Sequence, residues 1–224
     1  MNRIIVIAPH ADDEILGCGA TIAKYVSHGS EIFVIIATNA SKGDARMFPA
    51  EKVERVRKEA LEAHKLLGVK ETFFFDFPAP ALNAYPEYKI SLIFSDVFNN
   101  VKPTSIFIPH PSDLHQDHKA IYRAAVVSAR PIASHKISSI YCYETLSETN
   151  WSLFATDNSF NPNCYIDVSD HFEKKLEAMN LFKSQLKEYP HCRSLLALEA
   201  LAMYRGSTIN VPRAEAFVIE RKIV

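Results

Sequence analysis

The chain has 224 residues, 48% hydrophobic and 23% charged, with 25 Lys and Arg against 26 Asp and Glu for a formal net charge of −1. This length suits one large α/β domain over residues 1–224, and no Pro/Gly/Ser-rich or charge-rich stretch divides it. Near-neutral charge with scattered basic residues argues against nucleic acid as a partner, and no apolar run approaches the roughly 20 residues of a membrane helix.

In chain order, IIVIA (4–8) reads as a strand, 13–28 as a helix, EIFVIIAT (31–38) as a strand, and 50–67 as a helix closed by LLGV. ETFFFDF (71–77) is a third strand, and 86–101 has helical spacing behind a proline at its first turn. TSIFIPH (104–110) is a strand, followed by a helix at 117–129 and strands at 138–145 and 163–168. A helix from 170 to 187 and a closing strand at 214–221 complete the pattern, and 146–162 reads as a long loop. Near-continuous Ile/Val/Phe strands alternating with helices need cover on both faces, so the expected fold is a Rossmann-like three-layer α/β/α sandwich with a mainly parallel sheet.

In such a sheet the binding crevice lies beyond the carboxyl ends of the strands. Two loops rich in His and Asp fall there: PHADDE (9–14) after the first strand and HPSDLHQDH (110–118) after the fourth. His10 and Asp13, three apart, share a face as a helix begins, while Asp12 points about 100° away. His118 could complete a three-ligand site with His10 and Asp13, leaving the open position a catalytic zinc requires. Asp12 is then free to act as general base, and His115, held by Asp117, to act as a cationic donor to an oxyanion or leaving amine. These groups suit metal-dependent amide hydrolysis. Nitrogen and oxygen ligands without sulfur favour Zn2+, and Fe2+, Co2+ or Mn2+ suit the same set.

PHADDE and the H-x-x-D-x-H-x-D-H pattern of the second loop resemble the two signature motifs of the LmbE-like, or PIG-L, family of zinc-dependent N-deacetylases. The resemblance implies a Rossmann-like enzyme removing acetyl from an N-acetylhexosamine-containing sugar conjugate or glycan precursor. It also implies His10, Asp13 and His118 as zinc ligands, Asp12 as base, His115 facing the tetrahedral intermediate, and Asp117 orienting His115. Ala11 stands where the family usually has proline. Looser similarity extends to TNASKGD, KKLEAMNLFKSQ (174–185) and RGSTINVPRAEAF (205–217), with Phe182, Asn210 and Arg213 departing from the usual residues.

A lone HxxD pair would serve equally as a helix cap; the second loop, reaching the same sheet edge, favours a metal. His110 and Asp113 read as substrate contacts or as fixers of the loop turn. Arg46 and Arg57, following the second strand, and Glu144, at the end of the fifth, are candidate substrate contacts. Trp151, the only tryptophan, is a sugar platform or loop packing. Glu14 reads as a first-turn carboxylate with a potential site-facing role, Arg205 and Glu215 as structural, and His28, His64, His135, His171 and His191 as ordinary surface or interface residues.

Three rivals compete with the hydrolase. A nucleotide-binding module is suggested by GCGATI (17–22), although the glycines come late and no acidic residue ends the second strand. A non-haem Fe(II) enzyme is suggested by two histidines and a carboxylate, and a metal-bearing sensor by the ligand set alone. Cys18, Cys142, Cys164 and Cys192 are spread singly, as reduced thiols are, and no secretory signal is evident, so a cytoplasmic location is expected. A homo-oligomer is compatible with the sequence.

Overall fold

A computed structural model describes residues 2–132, 135–152 and 159–224. Its seven strands are β1 (Arg3–Ala8), β2 (Glu31–Asn39), β3 (Glu71–Pro78), β4 (Ser105–Pro109), β5 (Ser139–Tyr143), β6 (Cys164–Asp167) and β7 (Ala214–Lys222). They form one sheet in the order β3-β2-β1-β4-β5-β7-β6. The five strands from β3 to β5 are parallel, whereas β7 runs antiparallel to both β5 and β6.

The helices are α1 (Asp13–Ser27), α2 (Ala50–Leu67), α3 (Glu87–Val101), α4 (Gln116–Ser128), α5 (Phe172–Leu181) and α6 (Leu195–Ser207). Alternation along each strand divides the core in two. Ile5, Ile7, Ile106 and Ile108 face Phe94 and Ile121 of α3 and α4. Ile4, Val6 and Ala8 face Ile15, Ala63, Met179 and Leu198 on the other helices. Both faces are therefore covered, as parallel strands require. No helix among the described residues is long and apolar enough to cross a membrane.

Two expectations need correction. The helix expected over 170–187 ends at Leu181, because Phe182 leaves helical geometry (φ −78, ψ 60) and is fully buried. A non-helical segment then leads to α6, a helix absent from the expected elements because its nearly all-apolar run lacks a clear 3.6-residue alternation. Its start is signalled by Ser194, whose hydroxyl accepts the Ala197 N–H. Of the long loop expected at 146–162, residues 153–158 lie outside the described residues.

The glycines that suggested nucleotide binding have a packing role. A Cβ on Gly17 would lie 2.3 Å from the Tyr143 ring, and one on Gly19 would lie 2.9 Å from Lys175. Lys175 forms a buried pair with Glu215 (2.6 Å) and donates to the Leu16 carbonyl. Glu215 also accepts the N–H groups of Ala20 and Thr21. These glycines let β5 and α5 approach α1 closely.

Candidate active site

β1 and β4 are neighbours, and from them the sheet grows outward in opposite directions, to β2 on one side and β5 on the other. This reversal opens a crevice at the carboxyl ends of the two strands. The loops after β1 and β4 meet in it, which brings residues 10–14 against residues 110–118.

The first loop turns sharply. Asp12 adopts φ 120, a strained conformation for a residue with a Cβ. The turn is braced from several sides: Glu14 Oε2 accepts the Asp12 N–H, while Glu14 Oε1 lies 3.0 Å from His64 Nε2. His64 Nδ1 in turn lies 2.9 Å from the Thr72 hydroxyl, and Thr38 donates to the Pro9 carbonyl. His64 is thus a buried brace, not the surface residue its sequence context suggested.

One ligand atom each from His10, Asp13 and His118 falls within a 4.8 Å cluster. Asp13 Oδ2 lies 3.3 Å from His10 Nδ1 and 3.2 Å from His118 Nε2. Asp13 Oδ1 and His118 Nε2 are buried without a hydrogen-bond partner. Buried polar atoms are rarely left so, and a cation is the natural partner for a carboxylate and an imidazole nitrogen held in one cluster. The other ring nitrogens are tied back: His118 Nδ1 to Asp113 at 2.8 Å and His10 Nε2 to Asp117 at 3.1 Å. Outer carboxylates of this kind fix the ring orientation of metal-binding histidines. The residues therefore fit a divalent metal.

Electrostatics agree. Burial lowers the pKa of His10, but Asp117 and Asp13 outweigh it and raise it to about 9. Burial likewise opposes Asp13 and Asp113 at His118, which rises to about 10. The cluster thus demands positive charge, carried by protons or by a cation that displaces them. Asp12 lies outside the three-ligand set. Burial raises it to about 7 against the pull of Arg193, with Asp13 and Glu14 adding to the rise.

Asp117 does not orient His115 as expected. Its carboxylate accepts from Leu82 N–H and lies on His10, 3.8 Å from His115 Nδ1, while its backbone N–H donates to that nitrogen. Burial and the neighbouring His10 hold His115 down to about 4, so the ring is neutral rather than cationic. With Nδ1 accepting, Nε2 carries the hydrogen.

A cavity of about 420 Å3 opens beside these groups, and His10, Asp12, His115, Glu148 and Arg193 are among its lining residues. Arg193 donates to Asp12 Oδ2 at 3.0 Å and to Ser147 at 2.8 Å, and lies 3.7 Å from Glu148. Sequence reasoning missed Arg193 and Glu148, since both lie far from either motif. Of the candidate substrate contacts, Arg57 lines the cavity, yet its guanidinium donates to the Phe75 carbonyl and Asp76. Arg46 is exposed and outside the lining. His110 pairs with Ser112 and packs on Phe160, as a turn-fixing residue would. Asp113 holds His118 and accepts the Thr149 hydroxyl at 2.6 Å. Glu144 forms a two-point pair with Arg205 beside a separate cavity. Trp151 is half exposed, sits edge-on to His191, and is not among the lining residues.

Residues 5–129 match the family described as PIG-L, GlcNAc-PI de-N-acetylase. The chain is 30% identical over 187 residues to the uncharacterized deacetylase YaiS of Escherichia coli, covering 81% of this chain and 90% of that protein. It is 25% identical over 195 residues to the diacetylchitobiose deacetylase of Thermococcus kodakarensis, covering 84% of this chain and 72% of that one. In fold it is similar to GalB, the 4-carboxy-2-hydroxymuconate hydratase of Pseudomonas putida, with TM-score 0.80, 18% identity, and coverage of 100% of this chain and 98% of that one. The last likeness concerns architecture alone. By the family match and the near-full-length relationship to YaiS, the chain belongs to the PIG-L (LmbE-like) family.

Proposed function

We propose that this protein hydrolyses the N-acetyl group of an N-acetylhexosamine-containing sugar conjugate or glycan precursor, releasing acetate and a free amine. The observation that carries the reading is the buried pair of unpartnered atoms, Asp13 Oδ1 and His118 Nε2, beside a carboxylate, Asp12, outside the ligand set. The deacetylase relatives support the same reaction class.

In this reading His10, Asp13 and His118 hold a divalent metal, zinc in preference to iron, cobalt or manganese, with Asp113 and Asp117 positioning the two rings. When bound, the metal supplies Lewis acidity that polarises an amide carbonyl and allows water to deprotonate near neutral pH. Asp12 takes the proton from the attacking water and delivers it to the amine nitrogen as the C–N bond breaks. His115 offers its Nε2–H to the oxygen on which negative charge develops. Arg193 holds the Asp12 carboxylate in the cavity that His10 and His115 also line. The reading treats residues 1–224 as one catalytic domain, supported by a sheet that takes strands from both ends of the chain. A cytoplasmic location is inferred from four unpaired cysteines.

Acetate release from a panel of N-acetylated sugar conjugates, with metal content measured on the same sample, tests the proposal. Asp12→Ala should keep the metal and lose about 10²–10⁴-fold in turnover, the usual contribution of a general base. His118→Ala should lose the metal. An Asp12→Ala variant with near wild-type turnover would overturn the assignment.

A further inference from the structure

The groups assigned to chemistry line part of the cavity, and the rest of the lining is mainly apolar. Its apolar wall is built from Met47 and Phe48, in the loop before α2, Val53 and Val56, three residues apart on α2, and Pro80, after β3. Thr38, Lys52 and Gln185 are polar members of the lining. Phe48, Val53 and Val56 are half-buried, and Met47 and Pro80 are exposed. Much of this apolar surface is therefore left facing the cavity and solvent. Of the cations beside it, Arg57 is already bound to Asp76 and the Phe75 carbonyl, and Lys52 is exposed.

A bare sugar ring is a poor match for this wall. Its hydroxyls need polar partners when water is displaced, and its C–H faces pack best on aromatic rings, of which the wall has only Phe48 among the described residues. Aliphatic side chains gain by covering other apolar groups. The cavity's 420 Å3 lies within the range that holds drug-sized ligands, so a sugar ring and an apolar appendage can share it. Building on the deacetylase reading above, we infer that the substrate carries an alkyl or aryl group attached to its acetamido sugar, and that this group lies against Met47, Phe48, Val53, Val56 and Pro80.

The test is kcat/KM of the zinc-loaded protein for N-acetylglucosamine and its methyl, butyl and hexyl glycosides. The expected result is a rise with chain length, up to about fourfold per methylene, equivalent to about 0.8 kcal/mol. Val53→Asn should reduce that gain per methylene. Measurable turnover that stays flat across the glycosides overturns this inference and leaves the deacetylase reading intact. If no compound is hydrolysed, the deacetylase reading fails, and calorimetric binding of the same compounds tests the wall by itself. Affinity independent of chain length would then overturn the inference.

Discussion

Asp113 touches no substrate-facing surface, yet its loss should weaken the metal centre. Its carboxylate is fully buried, receives the Thr149 hydroxyl and holds Nδ1 of a fully buried His118. In Asp113→Ala nothing polar replaces it, so the ring is freed to rotate and its Nε2 loses basicity. Removing an outer carboxylate of this kind costs about 10–100-fold in metal affinity, or about 1.4–2.7 kcal/mol. Asp113→Asn keeps an oxygen acceptor and loses only the charge, so it should fall at the lower end. Competitive titration of zinc against a chromogenic chelator reads the affinity, and thermal unfolding in excess EDTA shows whether the metal-free fold is intact. An Asp113→Ala protein with wild-type zinc affinity and unchanged metal-free stability would refute the assignment of His118 as a ligand held from behind.

Further predictions concern the centre and its frame. Stripping zinc from protein equilibrated at 100 times its Kd should remove about 2.7 kcal/mol of stability, lowering Tm by about 5–11 °C for a chain of this size; an unchanged Tm would argue that no metal contributes to the fold. Glu215→Ala leaves Lys175 buried without its anion and strips an acceptor from Ala20 and Thr21, so urea unfolding should show a loss of about 3–5 kcal/mol. A loss under about 1 kcal/mol would mean the pair contributes little. Gly17→Ala would place a Cβ 2.3 Å from Tyr143 and should cost about 1–3 kcal/mol by the same measurement. Arg193→Met should lower turnover about tenfold or more while zinc content stays at the wild-type level, because the buried Asp12 carboxylate loses its partner.

The sequence alone determined what depends on local pattern. Strand and helix order follows from hydrophobic period, and the two loops at the carboxyl ends of β1 and β4 are legible because strand order and residue type are both local properties. Their convergence could be anticipated because a parallel sheet delivers every such loop to one edge. Tertiary structure decided what depends on the path between elements. Arg193 reaches Asp12, 181 positions away, from the non-helical segment between α5 and α6, and no spacing in the sequence encodes that path. His64 and Glu14, 50 positions apart, become one brace only when α2 lies on α1. Asp117 was legible as a partner of a histidine, but the sequence suggested its neighbour His115, while three-dimensional proximity gave it His10, 107 positions away. Hydrogen bonds and charge act over a few ångströms whatever the separation along the chain, so the identity of the ligating loops was written locally while the partners that tune them were settled by folding.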